Sequence, residues 1–133
     1  MEMCVEMNDY SRHSISAELY FIISDDDIDS IMYAALNGGI SRWCGSVQAD
    51  EDVLAGCLHK QITRKGTLKL FDLTGEMARE LTFDKFMIGL QRWVELERPF
   101  TVMKGVRLNV RDISGRAVGR IIQFALFNDL PFG

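Results

Sequence analysis

Four aspartates crowd into five positions, Asp25, Asp26, Asp27 and Asp29. Carboxylate oxygens are hard ligands, so such a run could hold a cation such as Mg²⁺. The run also stands where a helix is expected to begin, and acids there complement the positive end of the helix dipole. Capping is the stronger expectation. A calcium loop is excluded, because the required Gly and closing Glu are missing. Cys44, Cys57 and His59 offer soft donors, but a structural zinc site needs four ligands and the chain has no C-x₂-C. The thiols are therefore expected to be buried and inert, and neither a metal nor another cofactor is expected. The two histidines, His13 and His59, fall in an N-terminal arm and on the outer side of an expected helix. Neither position would hold an imidazole beside a nucleophile, and no nucleophile elbow is present. The expectation is a protein that binds and does not catalyse.

Residues 114–120, SGRAVGR, suggest a different chemistry. Ser114 can cap a helix whose first backbone N–H groups have no intrahelical partner, an arrangement suited to anions. Arg116 and Arg120 are four residues apart, so both are expected on one side of that helix. Two cations in the first turns oppose the dipole, a cost that a phosphate would relieve. With an aromatic neighbour, Ser114, Arg116 and Arg120 would take a cyclic nucleotide. The competing expectation pairs the arginines with surface acids such as Asp112 or Asp129 and uses Gly119 for close packing. No Gly-x-Gly turn precedes the segment, so it is neither a P-loop nor a dinucleotide fingerprint.

Two further groups suit a protein partner. Asp25, Asp26 and Asp29, with Asp50, Glu51 and Asp52, would form an acidic surface able to imitate phosphate charge and compete for a basic channel. Phe127 and Phe132, near the end of the chain, are candidates for an interface with a second copy. Trp93 and Phe86 keep a helical core spacing and are expected inside.

These side chains need elements to hold them. Residues 16–23, aromatic and β-branched, predict a strand. Ser24 then caps a helix whose Ile28, Ile31, Met32, Ala35 and Leu36 share one face. Asn37, Gly38 and Gly39 end it. Residues 40–48 are ambiguous, with a short strand around Trp43. Residues 50–64 predict a second helix with Val53, Leu54, Cys57, Leu58 and Ile62 as its core side. Residues 67–72 and 77–81, around Gly75, predict a hairpin. Thr82 caps a helix carrying Phe86, Met87, Leu90, Trp93, Val94 and Glu97, which Pro99 halts. Residues 100–110 predict a strand interrupted at Lys104-Gly105. Ser114 opens the last helix, with Val118, Ile121, Ile122, Ala125 and Leu126 on its core side, and residues 128–133 predict an extended tail.

The order implies an α+β fold, a small mixed or antiparallel sheet with a β-hairpin packed against three to four helices. A chain of 133 residues and 15.1 kDa, 47% hydrophobic and 26% charged, is one ordinary domain with a real core. Residues 1–15 read as a flexible arm and residues 16–133 as the domain. No apolar run is long enough to span a bilayer, and no signal peptide is evident. Three cysteines cannot all pair, so reduced thiols and a cytoplasmic location are expected. The formal charge of −4 argues against direct nucleic-acid binding. It divides unevenly, −6 over residues 1–66 and +2 over residues 67–133.

Several blocks resemble a group of small accessory proteins encoded by phages and prophages of Firmicutes. They are IDSIM at 28–32, ALNGGI at 35–40, Trp43-Cys44, QITRKGTL at 61–68, LTFDKF at 81–86 with Gly89-Leu90, and IIQFALF at 121–127. The resemblance spans residues 20–133. It departs at Arg116 and Arg120, where acidic residues are more usual in that group. It implies an inhibitor of bacterial defence acting in the host cytoplasm, of the anti-CRISPR kind, with a defence effector protein as partner. A sponge for a cyclic nucleotide signal is the first alternative, and a metal-dependent hydrolase using the aspartate run is the second.

Overall fold

The computed structural model describes residues 13–15, 20–50, 52–97, 103–104 and 107–133. The fold is α+β, with three α-helices and a three-stranded antiparallel sheet among these residues.

Helix α1, Asp25–Ala34, starts in a reciprocal capping box. Ser24 Oγ accepts from the Asp27 N–H and the Asp27 carboxylate accepts from the Ser24 N–H, each at 3.1 Å. Two otherwise orphaned donors are thereby satisfied. Ile28, Ile31 and Met32 are buried as their spacing predicts, and Ala35 continues the stripe. The chain leaves the helix through a π-type turn, Ala35–Gly39, in which Gly38 takes φ +126°. Only glycine adopts that conformation without strain.

Strand β1, Cys44–Ala49, follows, where the sequence pattern is weakest. It pairs with β2, Leu68–Asp72, which pairs with β3, Ala78–Leu81. Strands β2 and β3 are the predicted hairpin, with Gly75 at φ +78° in the turn. Asp72 Oδ1 accepts from the Thr74 hydroxyl at 2.6 Å and from the Thr74 and Glu76 N–H groups at 3.1 and 3.2 Å. These bonds, the hydroxyl foremost, hold the Asp72 carboxyl below the usual range. Alternation puts Leu68, Leu70 and Leu81 in the core, while Lys69 and Glu80, paired across the strands, belong to the other face.

Thr82 Oγ1 accepts from the Lys85 N–H at 3.2 Å and caps α2, Phe83–Glu97. Phe86, Leu90 and Trp93 are buried against α3, Gly115–Phe127, whose Val118, Ile121, Ile122 and Phe124 complete the core. The two helices approach so closely that a Cβ at Gly89 would lie 2.6 Å from the Ala125 Cβ. Among the described residues no helix is long and apolar enough to cross a membrane.

Four expectations change. Residues 52–64 contain no α-helix, only two 3₁₀ turns, Leu54–Gly56 and Leu58–Lys60. Gly56 at φ +73° breaks any helix, and Val53 and Leu54 are exposed. Buried Gln61 takes over the backbone bonding: its Oε1 accepts from the Leu54 N–H at 2.8 Å and its Nε2 donates to the Asp52 carbonyl at 3.2 Å. Of the first predicted strand, residues 16–19 lie outside the described residues, and Ile22 makes only an isolated parallel bridge to Arg107. The interrupted strand is a miniature hairpin, β4, Met103–Lys104, with β5, Arg107–Leu108; residues 98–102 and 105–106 lie outside the described residues. Residues 128–133 are not an extended tail. Asn128, at φ +55°, turns the chain back, and the Phe132 N–H donates to Gln123 Oε1 at 3.0 Å. The predicted arm lies outside the described residues except for 13–15.

Candidate functional site

Two of the acidic candidates, Asp29 and Asp50, are engaged by their own chain. Asp27 closes the capping box and pairs with Arg107 at 3.3 Å. Asp29 Oδ1 accepts from the Thr63 hydroxyl at 2.7 Å, and Asp50 pairs with Lys69 at 3.1 Å. Asp25, Asp26 and Asp52 are exposed, and Glu51 lies outside the described residues. No group of three or more His, Cys, Asp or Glu side chains is placed to hold a metal among the described residues. Cys44 is buried, its thiol donating to the Ser46 carbonyl at 3.4 Å, and burial pushes its pKa up. A thiol in that state is a poor nucleophile. His59 meets the Tyr33 ring edge-on at 5.2 Å.

The arginines of α3 part company. Arg120 turns to α2 and binds Glu97 at 2.7 Å, with its Nε buried and unpartnered. Its partner is neither Asp112 nor Asp129, so the expected pair of free cations on one side of the helix is not formed. Four residues advance a helix by a little more than one turn, and α2 covers the strip to which Arg120 is rotated. Arg116 is exposed and makes no ion pair among the described residues. It borders a cleft of about 480 Å³ between the π-type turn, the first turns of α3 and the returning 129–133 segment.

Four features of this cleft have chemical consequences. Ser114 Oγ accepts from the Ala117 N–H at 3.1 Å, which leaves the Gly115 and Arg116 N–H groups without intrahelical acceptors. Arg42, absent from the sequence candidates, joins Arg116 on the lining; its only hydrogen bond among the described residues is a long one, 3.4 Å, to the Phe132 carbonyl. Gln123, 4% exposed, also lines the cleft; its Oε1 takes the Phe132 N–H while its Nε2 donates to no group among the described residues. Trp43 and Phe132 form one wall, their rings parallel within 4° and 5.4 Å apart. Two arginines, a half-used buried amide and free helix N–H groups together can bind an anion with charge-assisted hydrogen bonds.

No protein-family model, curated protein or solved structure matches this chain. The cleft must be read from its own residues.

Glycine has two roles there. A methyl group at Gly119 would collide with the Gly39 carbonyl oxygen, so this pair lets α3 sit on the π-type turn. At Gly115 an added Cβ would meet nothing within 4 Å, and its backbone conformation is an ordinary one. Neither packing nor conformation demands glycine at 115, and its absent side chain leaves the helix N-terminus open to the cleft. Arg42 had no signal beyond its place after Gly38-Gly39. Gln123 did have one, a polar residue among Ile121, Ile122 and Phe124 on a buried helix stretch. Phe127 and Phe132, the interface candidates, pack on Trp43 at 5.9 and 5.4 Å, and Phe132 stays exposed.

Proposed function

We propose that this protein is a non-catalytic binder that sequesters a phosphate-bearing small molecule in the cleft at the start of α3. The observation that carries the reading is that Arg42 and Arg116, neither paired with a carboxylate among the described residues, line one cleft with Gly115, where the first N–H groups of α3 have no intrahelical acceptor. A phosphate there would receive donors from two directions, and each charge-assisted bond stabilises by roughly 1.5–3 kcal/mol. The resemblance to phage accessory proteins supplies the biological setting, a bacterial defence system in the host cytoplasm from which a sponge would withdraw a cyclic nucleotide signal; it does not carry the anion site itself, because acidic residues are more usual at position 116 in that group. Blocking an effector protein through acidic mimicry is the second reading: Asp29 and Asp50 already have partners in their own chain, while Asp25, Asp26 and Asp52 stay exposed.

Calorimetric titration with pyrophosphate and a panel of cyclic dinucleotides tests the reading. Arg42→Ala and Arg116→Ala should each weaken binding by about ten- to a hundredfold. Arg120→Ala should leave affinity unchanged and lower only stability. Heat denaturation of the complex should release the ligand intact; release of a cleaved product would make the protein a hydrolase. Absence of a heat signal at millimolar ligand, or wild-type affinity in both the Arg42 and Arg116 variants, would refute it.

A further inference from the structure

Trp43 and Phe132 are shared by two cavities. On one side lies the arginine cleft; on the other lies a mostly apolar pocket of about 170 Å³ whose lining includes Leu70, Met77, Leu126 and Phe127 together with Asp72 and Arg79. The Trp43 ring is 8% exposed, with Phe132 stacked on its face and Phe127 edge-on. No planar ligand can lie on it while Phe132 stays. Phe132 itself is 42% exposed and is held by few polar contacts. Its N–H rests on Gln123 Oε1 at 3.0 Å and its carbonyl on Arg42 at 3.4 Å. Both partners line the cleft, so the groups that hold the strap are groups that face a ligand.

We infer that Phe132 occupies, within the chain, the base subsite of a nucleotide. The phosphate sits between Arg42, Arg116 and the α3 N-terminus, and the base stacks on Trp43 where the Phe132 ring now lies. This inference rests on the phosphate reading and adds the place where the base binds. As Phe132 leaves, the wall between the cavities opens and the apolar pocket gives the base room. Gln123 is freed at the same time: its Oε1 can accept from a base amino group or a ribose hydroxyl, and its Nε2, already unpartnered, can donate. Stacking on an indole tolerates any base, so the site selects nucleotides over bare phosphates before it selects among bases.

Titrations with AMP and with ribose 5-phosphate, on the wild type and on Phe132→Ala, separate the two claims. AMP should bind roughly ten- to a hundredfold more tightly than ribose 5-phosphate, the contribution of one stacked base. Phe132→Ala should tighten AMP binding further and leave ribose 5-phosphate unchanged, because only the base competes with the ring. Phe132→Trp should weaken AMP binding through a stronger competitor. If ribose 5-phosphate binds through Arg116 but AMP gains nothing, or if Phe132→Ala weakens AMP binding, the base subsite is refuted and the phosphate site survives. If neither compound binds, both fail.

Discussion

Arg116 and Arg120 show how far spacing goes at the level of single residues. Their separation places them one helical turn apart, and the structure keeps that relation. What decides their chemistry is the neighbour each meets: Glu97 of α2 for Arg120, an open cleft for Arg116. Sequence lists both acids and arginines but not which helix lies alongside, so half of the proposed anion site was legible and Arg42 was not. Asp72 offers a cleaner case. Its carboxyl is held below the usual range by the Thr74 hydroxyl foremost, against an opposing desolvation second in size, with the Met77, Glu76 and Gly75 N–H groups adding to the lowering. A depressed folded-state pKa contributes stability that is present above the ordinary aspartate range and lost as pH falls through the lowered value. Acid titration of unfolding should therefore show a loss of stability below the ordinary range that is absent in Asp72→Asn. Identical pH profiles for the two proteins would show that the turn does not depend on this carboxylate.

Among elements, those with a sharp boundary signal were legible. Ser24, Thr82 and Ser114 each accept a backbone N–H as predicted, and the hairpin turns at Gly75. Residues 50–64 failed because their apolar positions imitate a helical stripe, while the bonds go to the Gln61 amide. A side chain that substitutes for backbone leaves no periodic trace. Strand β1 was only partly legible, as an ambiguous short strand around Trp43, for the opposite reason: Gly45, Ser46 and Gln48 carry little β-propensity, and the pairing with β2 imposes the strand. Two glycines of α3 give a test with opposite signs. Gly119→Ala pushes a methyl group onto the Gly39 carbonyl and should destabilise by about 1–3 kcal/mol, the range for overpacking. Gly115→Ala meets open space and should stabilise by about 0.4–1 kcal/mol through the unfolded chain. Thermal melts of both variants check this, and shifts of the same sign would mean that α3 does not pack on the π-type turn as described.

Across the whole molecule, the uneven charge of the two halves closes on itself at two points. Asp27 pairs with Arg107 and Asp50 with Lys69, each an acid of the first half with a base of the second. The acidic face expected from the sequence is thinned by folding, since linear order does not show which halves touch. The core was more legible. Ile31, Leu90 and Ile122, chosen by spacing on three helices, are 1%, 5% and 0% exposed. Each replaced by Ala should cost about 2–5 kcal/mol in denaturant titration, against a total of roughly 5–15 kcal/mol for a domain. Wild-type midpoints in all three would mean that this is not the core. The same interior holds both tryptophans, in unlike surroundings. Trp93, 3% exposed and with no acceptor for its Nε1, sits on α2 in the core; Trp43 belongs to the stack with Phe132. Indole emission follows local polarity and ring contacts, so one excitation wavelength interrogates two events. Light from Trp93 changes when the core comes apart. Light from Trp43 changes as soon as its neighbouring ring lifts away, which gives the strap a colour of its own.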